Sequence, residues 1–356
     1  MTQLTAPPAP PRGTAQEPPR ARRVAAGIGA ALALAGTAWV YQTALALDLG
    51  IPALLLTFVV SVPLVLLAAA AVRSRRPRGG VALLIPAVAF VSVFLMLPAL
   101  VIVAYALATQ RGFGGVEFGL SFANFGRSVN DITLGAFWRT LGLAAAGTAL
   151  TILAGLPLAY WLARFAGPRL RMWGMALIML PFLTSFLVRT YAFLIVLSDQ
   201  FPVLRGLRRL GLLSEDATLL GSPTAVLIGL TYTYLPLFVL PAFSALERMD
   251  WSLIRAASDL GSPRWKAFLQ ITLPLSLPGL TTGALLVFVP MAGDYLVPQI
   301  LGGGRVDLMG NLISRAFLEE QNYPSGAALA LLMTAALSVL TLLQLRTSRR
   351  SRTLHG

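Results

Sequence analysis

Apolar runs of about 20 residues, nearly free of charge, recur along the chain between shorter polar segments. That is the length an α-helix needs to cross roughly 30 Å of hydrocarbon. The runs fall at residues 24–46, 51–72, 82–107, 140–163, 173–197, 223–246, 277–299 and 325–345. None shows the apolar/polar alternation of a membrane-barrel strand, and inside a bilayer each backbone donor and acceptor must be satisfied within the segment. The pattern therefore predicts an all-α fold, a polytopic transmembrane bundle of about eight helices. Residues 1–23, rich in Pro, Ala and Arg without apolar periodicity, read as a disordered tail, and 347–356 as a second, basic tail. A cleaved signal peptide is the competing reading of the N-terminus, but the apolar run starts late and another follows it closely.

Composition supports the bilayer as the solvent. Of 356 residues 56% are hydrophobic and 12% charged, against roughly 25% charged in an average soluble domain. There is no cysteine, and the one histidine, His355, lies at the extreme C-terminus. Disulfide frameworks and thiol nucleophiles are excluded, and metal chemistry has almost no ligands. The net charge of +14 would suit nucleic acid only if it formed a basic face on a soluble module. Instead, 19 of the 28 Lys and Arg lie in alternate segments between spans: 12–23, 73–78, 164–171, 248–266 and 346–352. The positive-inside rule then makes these segments and both termini cytoplasmic. Arg205, Arg208 and Arg209 run against the trend, alternating with Leu204, Leu207 and Leu210; a short interfacial helix accommodates them, with a solvated basic loop as the alternative.

One cytoplasmic loop, 250–274, has the grammar of two short helices. Leu253, Ile254, Ala257 and Leu260 share a face of the first, and Gly261 falls where a left-handed C-cap is needed, a conformation that a β-branched residue fits poorly. In the second, Ser262 is a candidate cap, Pro263 suits the first helical position, and Trp265, Phe268 and Leu269 form the apolar stripe. Pro274 constrains entry into the next span. A helix pair with an uncovered apolar face suggests docking into a groove of another protein; the alternative is a linker tucked under the bundle.

This loop resembles the signature of the binding-protein-dependent ABC permeases: Glu-Ala-Ala, three residues, Gly, nine residues, Ile, one residue, Leu-Pro. Ala256, Ala257, Gly261, Ile271, Leu273 and Pro274 match at that spacing, while Arg255 stands where the family has glutamate. The resemblance implies a six-helix type I importer core within 81–346, preceded by an extra helix pair at 24–80. It implies that 250–274 couples the bundle to an ABC ATPase subunit, one of two ABC ATPase subunits in the importer, which carry the ATP and Mg, so that this chain needs no cofactor and is not itself an enzyme. It further implies an extracytoplasmic substrate-binding protein, a second, non-identical permease supplying the other coupling loop, and a place in the bacterial inner membrane, with lipid and not nucleic acid around it. Arg presents only donors where ionised glutamate presents acceptors, so the partner groove is expected to offer an acid near Arg255.

Two further stretches, 180–192 and 293–313, resemble spermidine/putrescine permeases, which implies a polyamine substrate; related importers of ferric iron, thiosulfate and other small solutes share the architecture. Thr184, Arg189, Tyr191, Asp294 and Tyr295 in these stretches are candidates for the translocation path. A charge at membrane depth is costly unless paired or hydrated. Asp294 with tyrosine faces nearby suits an ammonium, the alternative being a place at the external interface; Arg189 lines the path or, for a cationic solute, fixes a helix end. Pro236, Pro241, Pro290 and Pro298 are expected to interrupt their spans. Two other classes remain. A membrane enzyme using ATP is disfavoured because the only lysine, Lys266, follows no Gly-rich phosphate loop. Secondary transport leaves the loop signature unexplained.

Overall fold

The computed structural model describes Phe94 and residues 96–211, 214 and 218–353. The expected tail 1–23, the helix pair 24–80 and the first part of the 82–107 span lie outside the described residues. The chain divides into compact units Met1–Ala104 and Tyr105–Gly356; the architecture below is that of the second, which the chain enters within the helix Met96–Leu107. The helix α1 (Met96–Leu107) leads to a two-stranded antiparallel ribbon, β1 (Thr109–Arg111) and β2 (Gly115–Glu117), with Gln110 opposite Val116. α2 (Ala123–Ser128) follows. Its buried Asn124 donates to the carbonyls of Ala106 and Ala108 at 2.9 and 2.7 Å.

α3 (Asp131–Arg164) is the longest continuous span in the family of helices that forms the core. Asn130 and Thr133 form a reciprocal capping box at its start, the Thr133 N–H donating to Asn130 Oδ1 at 3.0 Å and the Asn130 N–H to Thr133 Oγ1 at 3.1 Å. Asp131 and Arg164 sit at the ends where the helix dipole favours their charges. The buried hydroxyls of Thr140, Thr148 and Thr151 each donate to the carbonyl four residues back at 2.7 Å, so none is left bare in an apolar setting.

α3 packs against α7 (Pro223–Glu247) and α10 (Leu273–Gly293) to make the core. Phe238 of α7 is fully buried between two glycines. A Cβ at Gly155 of α3 would lie 2.7 Å from one edge of the ring, and one at Gly283 of α10 2.9 Å from the other. Small residues let the backbones close around one large ring, the usual device where lipid supplies no hydrophobic drive for helix association. α13 (Tyr323–Thr353) is the last of the long apolar helices among the described residues, its apolar part running to Gln344.

Three expectations need correction. The run 173–197 is not one helix but two, α4 (Pro168–Leu183) and α5 (Phe186–Val196), bent by 95°. Pro181 lies in the last turn of α4, Thr184 and Ser185 are extended, and the Thr184 hydroxyl donates to the Pro181 carbonyl at 2.6 Å. Hydropathy is continuous through this elbow, which is why the pattern reads as one span. The run 277–299 is displaced: its helix is continuous from Arg264 and ends at Gly293, and α11 (Leu296–Leu301) is a separate helix started by Asp294. The prolines, finally, do not interrupt helices. Pro236 and Pro241 lie inside α7, Pro290 inside α10 and Pro298 inside α11.

The basic segment near 205 is a helix, α6 (Pro202–Arg209), with Leu204 buried and Arg208 paired to Asp199 at 2.6 Å; Leu210 lies beyond its end and is exposed. α12 (Met309–Leu318) sits at the same end of the bundle as the start of α3, where the Met309 N–H donates to the buried Thr140 hydroxyl at 2.9 Å.

Candidate functional site

Two features stand apart from simple bundle packing: a pair of charges beside the middle of α7, and the helix pair at one end. Arg189, on α5, is buried. Its guanidinium donates to the Thr184 carbonyl at 3.3 Å and the Thr233 carbonyl at 3.5 Å, and lies 5.8 and 5.9 Å from the ring centres of Phe182 and Phe186. Thr184 is the residue that ends α4, so the cation meets the negative end of that helix. Arg189 thus ties both arms of the elbow to α7, and its Nε has no partner among the described residues.

Asp294 is equally buried. One oxygen accepts the N–H groups of Leu296 and Val297 at 2.9 and 3.2 Å, capping α11, and the other accepts the Tyr234 hydroxyl at 3.0 Å. Thr233 and Tyr234 lie at the centre of the 25-residue α7. Both charged groups therefore sit beside the middle of this apolar helix, each at a break in another helix. Non-helical backbone at that depth is tolerated only when buried in protein or facing a water-filled cavity.

Of the candidate path residues, the structure brings Thr184 and Arg189 together. Tyr191 is exposed on α5, and Tyr295 is exposed at the start of α11, its carbonyl accepting from Asn311 at 3.0 Å. The ring that bonds Asp294 is that of Tyr234, which sequence reading missed. Its only signal was a hydroxyl-bearing ring in the middle of an apolar span.

The second feature runs from α8 (Ser252–Asp259) through α9 (Arg264–Ala267) and a π-turn (Phe268–Thr272) into α10. Gly261 has φ +82°, and the Gly261 and Ser262 N–H groups donate to the Ser258 and Ala257 carbonyls, both at 2.9 Å. This is a complete Schellman closure, which explains the glycine. Ser262 does not cap α9 with its side chain; Pro263 is the cap residue, one position earlier in role than the sequence suggests. Pro274 lacks an N–H and would clash with the carbonyl four residues back in a regular helix. The π-turn before it, where the Leu273 N–H donates to Phe268 five residues back, widens the backbone there.

The pair has two unlike faces. Ile254 and Ala267 are buried inward, with Ala257, Ile271 and Leu273 half-buried. Outward lie Arg255, Ala256 and Pro274, together with Leu253, Trp265, Leu269 and Leu260, the last 89% exposed. Asp250 precedes α8, and hydrogen bonds from the Ser252 hydroxyl and N–H hold its carboxyl below the usual range. Nearby, Arg171 pairs with Glu247 at 2.8 Å and donates to the Ala163 carbonyl at 3.0 Å, lashing α3, α4 and α7 together at this end.

A bundle of long apolar helices with a 95° elbow and a structured helix pair at one end is the build of a multi-pass membrane protein. The chain belongs to the family of inner membrane components of binding-protein-dependent transport systems, which it matches over residues 155–353; it is an ABC importer permease subunit of the type I class. It is 32% identical to the spermidine/putrescine transport system permease protein PotB of Haemophilus influenzae, over 72% of this chain and 89% of that one. With PotB of Escherichia coli the identity is 31%, over 75% and 97%. Among solved structures, a bacterial alginate ABC transporter in complex with an alginate pentasaccharide-bound periplasmic protein has a chain of the same fold, at TM-score 0.62 and 18% identity, covering 78% of this chain and 96% of that one.

Proposed function

We propose that this chain forms one half of the membrane pathway of an ATP-driven importer for a polyamine such as spermidine or putrescine. An extracytoplasmic protein delivers the solute, and one of two ATPase subunits grips the helix pair 250–274 from the cytoplasm, the side on which both termini lie. The observation that carries the reading is the two-faced helix pair. Its inner face is built into the bundle, while its outer face offers Leu253, Leu260, Trp265 and Leu269 to a groove. Arg255, also outward, calls for an acid in that groove.

The substrate class rests on the likeness to the two PotB proteins. The bend between α4 and α5 supports a position for its path. Thr184 and Ser185 are exposed in this chain, yet backbone broken at that depth does not face lipid. The path and a second, non-identical permease therefore lie against that elbow, with Thr184, Arg189, Tyr191, Asp294 and Tyr295 along or behind its wall. ATP and Mg reside in the partner ATPase.

The test is uptake in proteoliposomes holding this chain with its cognate permease, ATPase and binding protein. Labelled spermidine is expected to accumulate only with ATP inside the ATPase-facing compartment. Accumulation of ferric iron or thiosulfate in its place would overturn the substrate, and ATP-independent uptake would overturn the importer.

A further inference from the structure

The helix pair must be held at both ends if it is to move the bundle as a lever, and one side chain does this. Tyr160, in the last turns of α3, is half-buried. Its ring meets Trp251, immediately before α8, at 5.9 Å and 70°, and Phe268, immediately after α9, at 5.3 Å and 89°. Both are edge-to-face contacts, the favoured geometry for aromatic pairs and one that resists sliding. Arg164, one turn on, lies 5.0 Å over the Trp251 ring and 5.6 Å over Phe165, adding a cation–π contact to the tryptophan. A single ring on α3 therefore touches the entry and the exit of the helix pair.

α3 is continuous from Tyr160 back to Thr140, about 30 Å at helical rise. At Thr140 the buried hydroxyl receives the Met309 N–H of α12 at 2.9 Å. The same helix, which carries Pro157 one turn before Tyr160, is thus fastened to the helix pair at one end and to α12 at the other.

We propose that Tyr160, clasped by Trp251 and Phe268, is the positioning residue that passes displacement of the helix pair into α3 and through it to α12 at the opposite end. The inference rests on the importer reading and adds to it the contact that transmits the stroke. Nothing in the ring's role needs its hydroxyl.

The experiment compares Tyr160→Phe, Tyr160→Leu, Trp251→Leu and Phe268→Leu in the full reconstituted importer, measuring ATPase rate and solute taken up per ATP hydrolysed. Leucine keeps an apolar side chain at each position but removes the ring and its edge-to-face geometry. Solute per ATP is expected to fall about two- to tenfold in the three leucine variants while hydrolysis persists, and to stay at the wild-type ratio in Tyr160→Phe. An unchanged ratio in the leucine variants overturns the inference, as does an equal fall in Tyr160→Phe. Co-purification of the ATPase is read first. If Tyr160→Leu does not assemble, the two loop-side variants decide on the same criterion. Wild-type uptake without ATP dependence would instead sink the importer reading, and this inference with it.

Discussion

α7 and the α4–α5 elbow are both apolar enough to cross a membrane, yet they live in different surroundings. Half of the most apolar stretch of α7 is buried inside the chain, whereas α4 contributes no buried residue at all. The difference lies in what faces them. α7 meets glycines on α3 and α10 that admit Phe238; the elbow meets α7 at separate points, Arg189 on the Thr233 carbonyl, Phe193 on Tyr232 at 4.8 Å and Arg171 on Glu247. Hydropathy reports that a segment can leave water, and it is silent on whether protein, lipid or a partner receives it.

The sharpest way to break this contrast is to empty the centre of the core. Phe238→Ala removes a fully buried ring from between Gly155 and Gly283, and should destabilise the chain by about 3–5 kcal/mol. Leu180→Ala, at 59% exposure on α4, should change stability by no more than about 0.5 kcal/mol. Unfolding in detergent micelles measures both, and equal losses would erase the distinction between the two regions.

A smaller effect tests the pin between them. Arg189→Met leaves the elbow carbonyl of Thr184 without its donor, worth about 1–3 kcal/mol for a polar group deprived of its partner. Arg189→Lys should recover only part, since an ammonium lacks the planar fork that reaches two carbonyls. Full recovery by lysine would mean that charge alone, and not the bridging of Thr184 and Thr233, holds the elbow.

Much of this architecture was legible beforehand, because spans announce themselves by length and the Gly261 turn by its need for a positive φ. The loop signature could be read since its residues are close in sequence and each has a local backbone reason. What could not be read was set by partners far away in the chain. The elbow at Thr184–Ser185 carries no polar interruption strong enough to break a hydropathy run. Asp294 looked free to meet a ligand because Tyr234, 60 residues earlier, is invisible as its donor until the chain folds. The prolines misled in the opposite sense. Pro236 and Pro241 signal a break, but α7 is held on both flanks by α3 and α10, and packed helices accommodate prolines that would end an isolated one.

The smallest expected effect is also the one that separates lipid from a water path. Leu183 is 81% exposed at the elbow and Leu153 is 72% exposed on the uninterrupted α3. By exposure alone the two positions are alike. Arginine at a lipid-facing site near the centre of a helix costs about 2.5–3.5 kcal/mol in membrane insertion, so Leu153→Arg should lose most of its inserted protein. Leu183→Arg should insert within about 1 kcal/mol of wild type, because the backbone break beside it already requires protein or water at that depth. Insertion yield of the two variants, assayed side by side, reads this directly. A penalty at Leu183 as large as at Leu153 would mean that lipid reaches the elbow, and the pathway would then have to lie on another face of the bundle.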